Sequence, residues 1–409
     1  MELFINLVLL QLALPAILAG VYLLSCTVLS GRPRLAPRSL RQLRFDVIVP
    51  AHNEAAGIAR TVESLLRLDW PQDRFRVLVI ADNCTDSTAS IARAAGAHVL
   101  ERSSESHRGK GYALAYAFEQ SRAKGWADAL AIVDADAEAS ANMLEAFAAR
   151  IERGAEAVQA HYGVLNPLAS WRTRLITIAK ASFHIVRSRA RERLGVSCGV
   201  RGNGWCVTQA LLRRVPYGAF SLAEDLEYGI ELGLAGFRVE YADEADCNAD
   251  MVSGAQAAGK QRQRWEAGRF QLVETKTLPL LKAAIRRRSL VCLDLALDLL
   301  VLPLSYIVLD IVALLVLAGL ANWGGLLRWP WVWYGTGMGC MACVLSYVMR
   351  GWQLSGIGAR GLLDLARAPG FLIWKVLLML GHKSPVEWIR TDREKPEKHE
   401  IHDADGPRR

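Results

Sequence analysis

The sequence predicts an α/β domain with a mostly parallel sheet, flanked by transmembrane helices. Hydrophobic residues form 52% of the 409 residues and charged residues 22%, which indicates apolar segments that are separate from a polar globular part. Long apolar stretches occur near both ends of the chain. Between them, residues 45–280 alternate strand-like apolar runs with helical patterns, which is typical of a mostly parallel sheet.

The composition excludes several other classes of protein. A disordered chain, a collagen or a small disulfide scaffold would show a different bias in charge, glycine or cysteine. The net charge is +8, from 49 Lys and Arg against 41 Asp and Glu, and many of the basic residues adjoin the apolar segments. We therefore expect membrane lipids, and no nucleic acid, among the partners.

The first apolar segment predicts an N-terminal transmembrane helix within residues 1–30. Residues 3–30 carry no charge, and about 20 apolar residues cross a bilayer. A secretory signal peptide would begin with a basic region, which is missing here. Residues 31–44 contain five arginines and no acid, so the positive-inside rule predicts a basic cytoplasmic linker.

The second apolar region, residues 290–382, predicts further transmembrane or interface helices. Residues 299–320 and 330–349 are long enough to span, and tryptophans cluster between them as at a membrane interface. Residues 361–382 contain both charges and a proline, so they form either a fourth span or, as we prefer, a helix in the interface. Residues 383–409 predict a polar tail. We expect a multi-pass protein of the cell (inner) membrane with its central domain in the cytoplasm.

Polar side chains follow three predicted strands of the central domain. Residues 52–54 follow the first strand, Asp82 ends the second, and Asp134 and Asp136 end the third. Ligands bind outside the carboxyl ends of parallel strands. In an extended segment, carboxylates two residues apart face the same side, and this pair suits Mg²⁺ or Mn²⁺ held together with substrate phosphates. Taken alone, the same pattern also fits a solvated turn.

Three later segments have both a functional and a purely structural interpretation. Lys110 lies in a basic glycine-containing turn that does not match a phosphate-loop pattern. Glu224 and Asp225 lie near the start of an amphipathic helix, where acids are favourable in any case. Gln261, Arg264 and Trp265 share one helix face. Arginine can grip a phosphate and indole can stack on a sugar, but a basic helix near the membrane would look similar.

Six segments occur in the order seen in membrane-integrated family 2 glycosyltransferases, which include the cellulose, hyaluronan and chitooligosaccharide synthases. They are VIVPAHNE, ADNCTD, RGKGYAL, the DAD triplet at 134–136, the AED triplet at 223–225, and QRQRW at 261–265. The resemblance covers nearly all of residues 45–270. It implies a GT-A nucleotide-sugar-binding domain over residues 45–280 and a nucleotide-diphosphate sugar as donor.

The resemblance also implies roles for individual residues on the donor side. Glu54 and Asp82 match positions that contact the nucleoside, and Lys110 matches a position near the phosphates. Asp136 matches the metal ligand, with Asp134 beside it near the sugar or ribose, and the metal would be Mg²⁺ or Mn²⁺. In the family, Gln261 and Arg264 would lie over the diphosphate.

On the acceptor side, the resemblance makes Asp225 the general base that deprotonates the acceptor hydroxyl. Glu224, which precedes it, is assigned to acceptor binding, and Ala223 replaces the threonine that is usual in the family. Trp265 matches a residue that faces the acceptor. The segment that contains Gly202, Asn203 and Gly204 resembles the family's glycine-rich acceptor loop. One carboxylate base without a covalent nucleophile implies inversion of the anomeric centre.

The sequence leaves three functions open. The first is an inverting, metal-dependent glycosyltransferase that extends a poly- or oligosaccharide at the cytoplasmic membrane face. The second keeps this chemistry but uses a lipid acceptor, as in ceramide-glucosyltransferase-like relatives. The third is a non-catalytic nucleotide-sugar-binding regulator of a partner synthase. With few predicted spans for a polymer channel, a homo-oligomer or an export partner would also be needed if a long product were secreted.

Overall fold

The structure is a computed structural model that describes residues 1–251, 255–367 and 369–370; for residues 255–258 and 260–262 it describes the backbone alone. The predicted polar tail, residues 383–409, lies outside the described residues.

Within the described residues, eight strands form one sheet. In chain order they are β1 Phe45–Ala51, β2 Phe75–Asp82, β3 His98–Arg102, β4 Ala129–Ile132, β5 Ala137–Ala139, β6 Ala157–Val164, β7 Trp205–Thr208 and β8 Val239–Ala249. Their order across the sheet is β3-β2-β1-β4-β7-β6-β8-β5. The pairings among β3, β2, β1 and β4 are parallel, as is β6 with β8. Those of β7 and β5 are antiparallel, so the second half of the sheet is mixed.

Helices cover both faces of this sheet because its central strands are apolar on both sides. Val47 and Val49 point into one buried cluster with α2 Ile58–Leu66, α3 Thr88–Ala94 and α5 Met143–Ile151. Ile48 points into the opposite cluster with α4 Lys110–Lys124, α8 Gln209–Arg214 and α9 Glu224–Leu234. The central domain therefore has three layers, and its predicted α/β class is confirmed.

Two groups of helices join this domain to the apolar helices described below. The first is continuous: α6 Trp171–Lys180 passes through a π-helical segment, Ala181–Val186, into α7 Arg187–Arg193. The second consists of α10 Ala255–Arg287 and α11 Leu290–Leu300, which pack against α9.

Three described helices are long and apolar enough to cross a membrane: α1 Glu2–Leu29, α12 Leu304–Trp323 and α13 Pro330–Ser355. They pack against one another through two shared apolar clusters. The predicted span at 299–320 begins later than expected. One helix ends at Leu300 and the next begins after Pro303, because a proline has no N–H to donate inside a helix.

The described part of residues 361–382 does not form a span. The short helix α14, Ala359–Leu365, ends after seven residues. Its buried Asp364 accepts a hydrogen bond from Arg174 of α6 at 2.6 Å, so this part packs against α6. The rest of the predicted interface helix lies outside the described residues.

Candidate active site

Three neighbouring strand ends bring together the polar groups predicted to share one edge of the sheet. His52 Nδ1 lies 2.8 Å from the carbonyl oxygen of Asp82, which joins the end of β1 to that of β2. Asn53 and Asn83 have φ angles of 56° and 51°, the left-handed region that asparagine tolerates better than most residues. The segments after β1 and β2 therefore turn sharply just beyond their strands.

Asp82 and Glu54 lie at this edge in well-fixed positions. The buried carboxylate of Asp82 accepts a hydrogen bond from Arg102 Nη1 at 2.5 Å. The same guanidinium atom donates to the carbonyl of His107 at 2.9 Å, so it also holds the loop that leads to Lys110. The backbone N–H of Glu54 donates to Thr88 Oγ1 at 2.7 Å.

Lys110 draws three separate segments into one cluster. Its Nζ donates to Asp134 Oδ1 at 2.6 Å and to the carbonyl oxygen of Gly202 at 2.7 Å. It also lies 3.7 Å from Glu224 Oε1. The end of β4, the loop before β7 and the start of α9 thus meet at a single ammonium group.

The glycine-rich loop, residues 199–204, passes directly beside Asp225. Gly202 has φ +89°, and a Cβ added there would lie 3.2 Å from Asp225 Oδ2. At Gly204, with φ +68°, a Cβ would collide with Cys247 at 2.4 Å. Both positions need glycine for the backbone conformation as well as for space. The loop therefore brings bare backbone next to the predicted base.

Asn203, between these glycines, is fully buried. Its Oδ1 accepts a hydrogen bond from the backbone N–H of Asp134 at 2.9 Å and lies 3.2 Å from Cys247 Sγ. In the structure Asn203 positions Asp134, and its predicted contact with the acceptor stays a prediction.

The segment from Asp134 to Asp136 is a turn, which corrects the extended conformation expected from the sequence. The N–H of Ala137 donates to the carbonyl of Asp134 at 3.1 Å, which closes the turn between β4 and β5. The expectation that the carboxylates of Asp134 and Asp136 face the same side, as they would in an extended strand, therefore does not apply. Both carboxylates nevertheless act on one group: burial raises the pKa of Tyr162, and Asp134 and Asp136 raise it further.

The two acids at the start of α9 are less acidic than usual. Burial raises the pKa of Glu224 to about 7 and also raises the pKa of Asp225, while Lys110 opposes both shifts. Burial would lower the pKa of Lys110, but Asp134 and Glu224 raise it above its usual range. A carboxylate made more basic in this way is suited to accept a proton.

Helix α10 carries the predicted phosphate- and acceptor-facing residues past this cluster. Trp265 is 44% exposed, and Arg264 precedes it on the same helix. One turn later, a Cβ on Gly268 would lie 3.0 Å from Ala223 N, so the helix backbone rests against the residue before Glu224. The side chain of Gln261 lies outside the described residues.

The order of these segments matches a known family. A family profile described as "Glycosyltransferase like family 2" matches residues 43–268. The chain belongs to this family. The match spans every segment that forms the cluster, and it confirms the resemblance noted in the sequence.

Curated relatives of this family 2 glycosyltransferase are similar over the same region. The Beta-monoglucosyldiacylglycerol synthase of Nostoc sp. is 29% identical over 252 residues, 60% of this chain and 53% of the relative. The probable glycosyltransferase YdaM of Bacillus subtilis is 24% identical over 237 residues, 56% of each chain. The chain thus spans about half the length of the curated relatives it matches.

A solved structure shares the fold of this glycosyltransferase. The mannosyltransferase PcManGT from Pyrobaculum calidifontis, in complex with GDP-Man and Mn²⁺, aligns with a TM-score of 0.50 at 19% identity. The alignment covers 84% of this chain and 98% of that one. The predicted GT-A fold is confirmed.

The carboxylates available as metal ligands in this glycosyltransferase fit a divalent metal that is bound together with the substrate. Among the described residues there is no group of three or more His, Cys, Asp or Glu side chains that could hold a metal. Mg²⁺ in nucleotide enzymes is bound through one or two carboxylates plus substrate phosphates. Asp134 and Asp136 supply that number of hard oxygen ligands.

Two residues at the site were not found from the sequence. Tyr162, on β6, lies 4.0 Å from the position of a Cβ on Gly202, and Lys180 Nζ lies 3.1 Å from the centre of its ring. Neither belongs to a motif. Strand β6 and helix α6 reach the site because β6 pairs with β7 in the sheet. The spacing of residues along the sequence does not show this pairing.

Proposed function

We propose that this glycosyltransferase moves a sugar from a nucleotide-diphosphate sugar to an acceptor hydroxyl, with Asp225 as general base and with inversion. The observation that carries the proposal is the cluster in which Asp225, Gly202, Lys110 and Asp134 meet. The glycine loop leaves space beside the Asp225 carboxylate, where an acceptor hydroxyl would be within hydrogen-bond reach. Attack by that hydroxyl from the side opposite the leaving group inverts the anomeric carbon.

The donor would lie across the strand ends. Glu54 and Asp82 would accept hydrogen bonds from the nucleoside, and their fixed positions at neighbouring strand ends support this role. The positive charges of Lys110 and Arg264 would lie near the diphosphate, with Gln261 on the same helix face. Transition-state charge in this reaction develops on the departing diphosphate, which preorganised cations stabilise.

A Mg²⁺ or Mn²⁺ ion bound through Asp136 and Asp134 would neutralise part of the diphosphate charge as the glycosidic bond breaks. Asn203 supports this role of Asp134, because its side chain fixes the backbone N–H of that residue. Asp134 is also paired with Lys110 through Oδ1 at 2.6 Å, which holds its carboxylate at the end of β4.

We infer that the acceptor is a membrane lipid. The glycine-rich loop is tied to the membrane helices through Arg201, which lies 3.7 Å from Asp298 of α11. Asp298 also pairs with Arg187, whose Nε donates to Tyr347 of α13 at 2.9 Å. The three described membrane helices fill the space between them with side chains, which favours an acceptor held at the membrane surface over a polymer threaded between them.

A saccharide acceptor is the second candidate, and the exposed indole of Trp265 favours it. An aromatic face of this kind can stack on a sugar ring, and it lies one turn from the contact of α10 with Ala223. The two candidates share the donor chemistry and differ only in the group that attacks. Mass spectrometry of the product distinguishes a glycolipid from a lengthened saccharide.

The first test is the substitution Asp225→Asn in detergent-purified protein. Loss of a general base lowers the rate by about 10²–10⁴-fold, while donor binding, measured by calorimetry, should persist. Asp73→Asn is the matched control, because Asp73 is exposed and far along the chain from the cluster. Full transfer by Asp225→Asn would remove the assigned base. Donor binding without nucleotide release by the unmodified protein would favour a non-catalytic regulator.

The same assay tests the metal. Treatment with EDTA should stop nucleotide release, and added Mn²⁺ or Mg²⁺ should restore it, since the diphosphate charge would otherwise be only partly neutralised. Activity that is indifferent to chelation would contradict the roles given to Asp136 and Asp134.

A further inference from the structure

A cavity of about 190 Å³ lies behind the active site, between the sheet and the cytoplasmic end of α13. Strands β6 and β8 form one wall, and α6 with the π-helical segment forms another. Leu354 and Ser355, at the end of α13, close the side nearest the membrane. The cavity therefore occupies the boundary between catalytic domain and membrane bundle.

The wall nearest the sheet is polar. His161 Nδ1 lies 2.6 Å from Asp246 Oδ1, and both side chains line the cavity together with Asn248. Lys180 and Thr177 face it from α6. Ile185 and Leu354 add apolar side chains to the lining. An amphipathic lining of this kind suits a group with a polar end and an apolar continuation.

Lys180 links the cavity to the catalytic cluster. It is buried, and its ammonium rests on the ring of Tyr162 at 3.1 Å. Cε1 of that ring lies 4.0 Å from the position of a Cβ on Gly202, which itself lies next to Asp225. Burial lowers the pKa of Lys180 to about 7, although Asp136 and Asp134 oppose the shift. Burying a charged lysine carries a free-energy cost. A single aromatic side chain separates Lys180 from the reacting centre.

The helix changes its winding at this point. The π-helical segment begins at Ala181, immediately after Lys180. Such segments are rare and often occur at functional sites. Here the wider turn carries Ala181 and Ile185 into the cavity wall, so the irregular winding shapes the same space that Lys180 faces.

We propose that this cavity is a subsite for the head group of the lipid acceptor, holding the part of a neutral, hydroxyl-bearing group that adjoins the reacting hydroxyl. The subsite deepens the proposed function and rests on it. Lys180 and Asn248 would donate to head-group oxygens, Asp246 would accept from a hydroxyl, and the lipid chains would leave along α13.

The size and charge of the cavity define the class of ligand. A cavity of about 150 Å³ holds one benzene molecule, so about 190 Å³ accommodates a glycerol unit or one sugar ring but not two. Asp246 and Lys180 give the lining opposite charges, and His161 pairs with Asp246, so the cavity carries no large excess of either sign that would select a charged head group. A neutral polyol satisfies both kinds of lining group.

The test is a pair of identical substitutions on neighbouring helical positions. Ala181→Phe fills the cavity without removing a polar group, whereas Ala179→Phe places the same ring on the exposed side of α6. The substrate is diacylglycerol in phosphatidylcholine vesicles, with phosphatidylglycerol vesicles as the anionic arm. We expect Ala181→Phe to raise the KM for diacylglycerol by about tenfold or more, with the donor Kd and donor hydrolysis unchanged. Ala179→Phe should match the unmodified protein.

A second variant covers the case in which the phenylalanine prevents folding. Lys180→Met should raise the same KM while the Tm stays equal or rises, because a buried cation is removed; a merely structural lysine would lower the Tm and spare the KM. An unchanged acceptor KM in both variants, or preferred transfer to phosphatidylglycerol, would overturn the subsite. Donor hydrolysis without any lipid product by the unmodified protein would instead overturn the lipid acceptor itself.

Discussion

Asp298 holds three buried arginine side chains at the base of the glycine-rich loop. Its carboxylate lies 2.9 Å from Arg187, 3.2 Å from Arg191 and 3.7 Å from Arg201, and all four residues are buried. Unpaired buried charges cost far more than paired ones. Arg201 directly precedes Gly202, so this carboxylate supports the loop beside the proposed base.

Asp298→Ala should destabilise the protein strongly. Removal of one partner from a buried ion pair costs about 3–5 kcal/mol, because Arg187 and Arg201 stay behind without the Asp298 carboxylate, while Arg191 keeps its pair with Asp294. The free energy of unfolding in detergent measures the effect. Glu101→Ala is the control, since it breaks a surface pair with Arg93 whose side chains are 61% and 49% exposed and which contributes about 0–1 kcal/mol. Equal stability of the two variants would contradict the supporting role of Asp298.

Among individual site residues, the sequence predicts those that belong to motifs and misses those that reach the site only through tertiary packing. Lys110, Asp134 and Asp225 were expected in one site, and the structure brings them together. Asn203 is predicted to face the acceptor, which stays a prediction; its buried contact with Asp134 is one that the motif did not reveal. Lys180 carries no signal in the sequence, because a lone lysine on an amphipathic helix normally faces solvent.

Helix α10 makes a close backbone contact with the residues that precede α9. Gly268 rests on Leu222 and Ala223, where a Cβ would lie 3.0–3.1 Å from backbone atoms. This contact sets the distance between the helix that carries Arg264 and Trp265 and the start of α9. Any shift of α10 would move these side chains relative to Asp225.

Gly268→Ala should therefore lower kcat with little loss of stability. Backbone atoms must give way by a few tenths of an ångström, and misplacement of about 1 Å can cost about 10²-fold in rate, so we expect a fall of about tenfold. Gly259→Ala is the matched control: it lies on the same helix, gains the same helix propensity of about 1 kcal/mol, and its Cβ would meet no atom of the described residues within 4 Å. Equal kcat for both variants would show that the helix position is not critical.

The elements that follow local patterns were predicted best. Strands β1, β2 and β4 are apolar runs followed by polar turns, and all three occur where expected. The pairing of β6 with β8 joins residues about 80 positions apart along the chain, so no local pattern reveals it. The mixed half of the sheet, which carries Tyr162 and His161, was therefore absent from the prediction.

For the molecule as a whole, the apolar segments and the catalytic domain form one connected structure. Tyr22 of α1 donates to Asp294 of α11 at 3.3 Å, and Tyr347 of α13 donates to the carbonyl of Ser182 at 2.7 Å. These contacts lie on the cytoplasmic side only if the basic linker is also cytoplasmic. The position of the proposed lipid subsite thus depends on the orientation of the whole chain.

Cysteine labelling in intact cells tests this orientation. With the linker at residues 31–44 inside, the connection between α12 and α13 must lie outside, because each helix crosses once. Asn322→Cys, in the exposed end of α12, should react with a membrane-impermeant maleimide in intact cells, above the background of the native cysteines. Glu105→Cys, exposed on the catalytic domain, should react only after the membrane is opened. The reverse pattern would place the catalytic domain outside, where a cytoplasmic supply of nucleotide sugar could not reach Asp82 and Lys110.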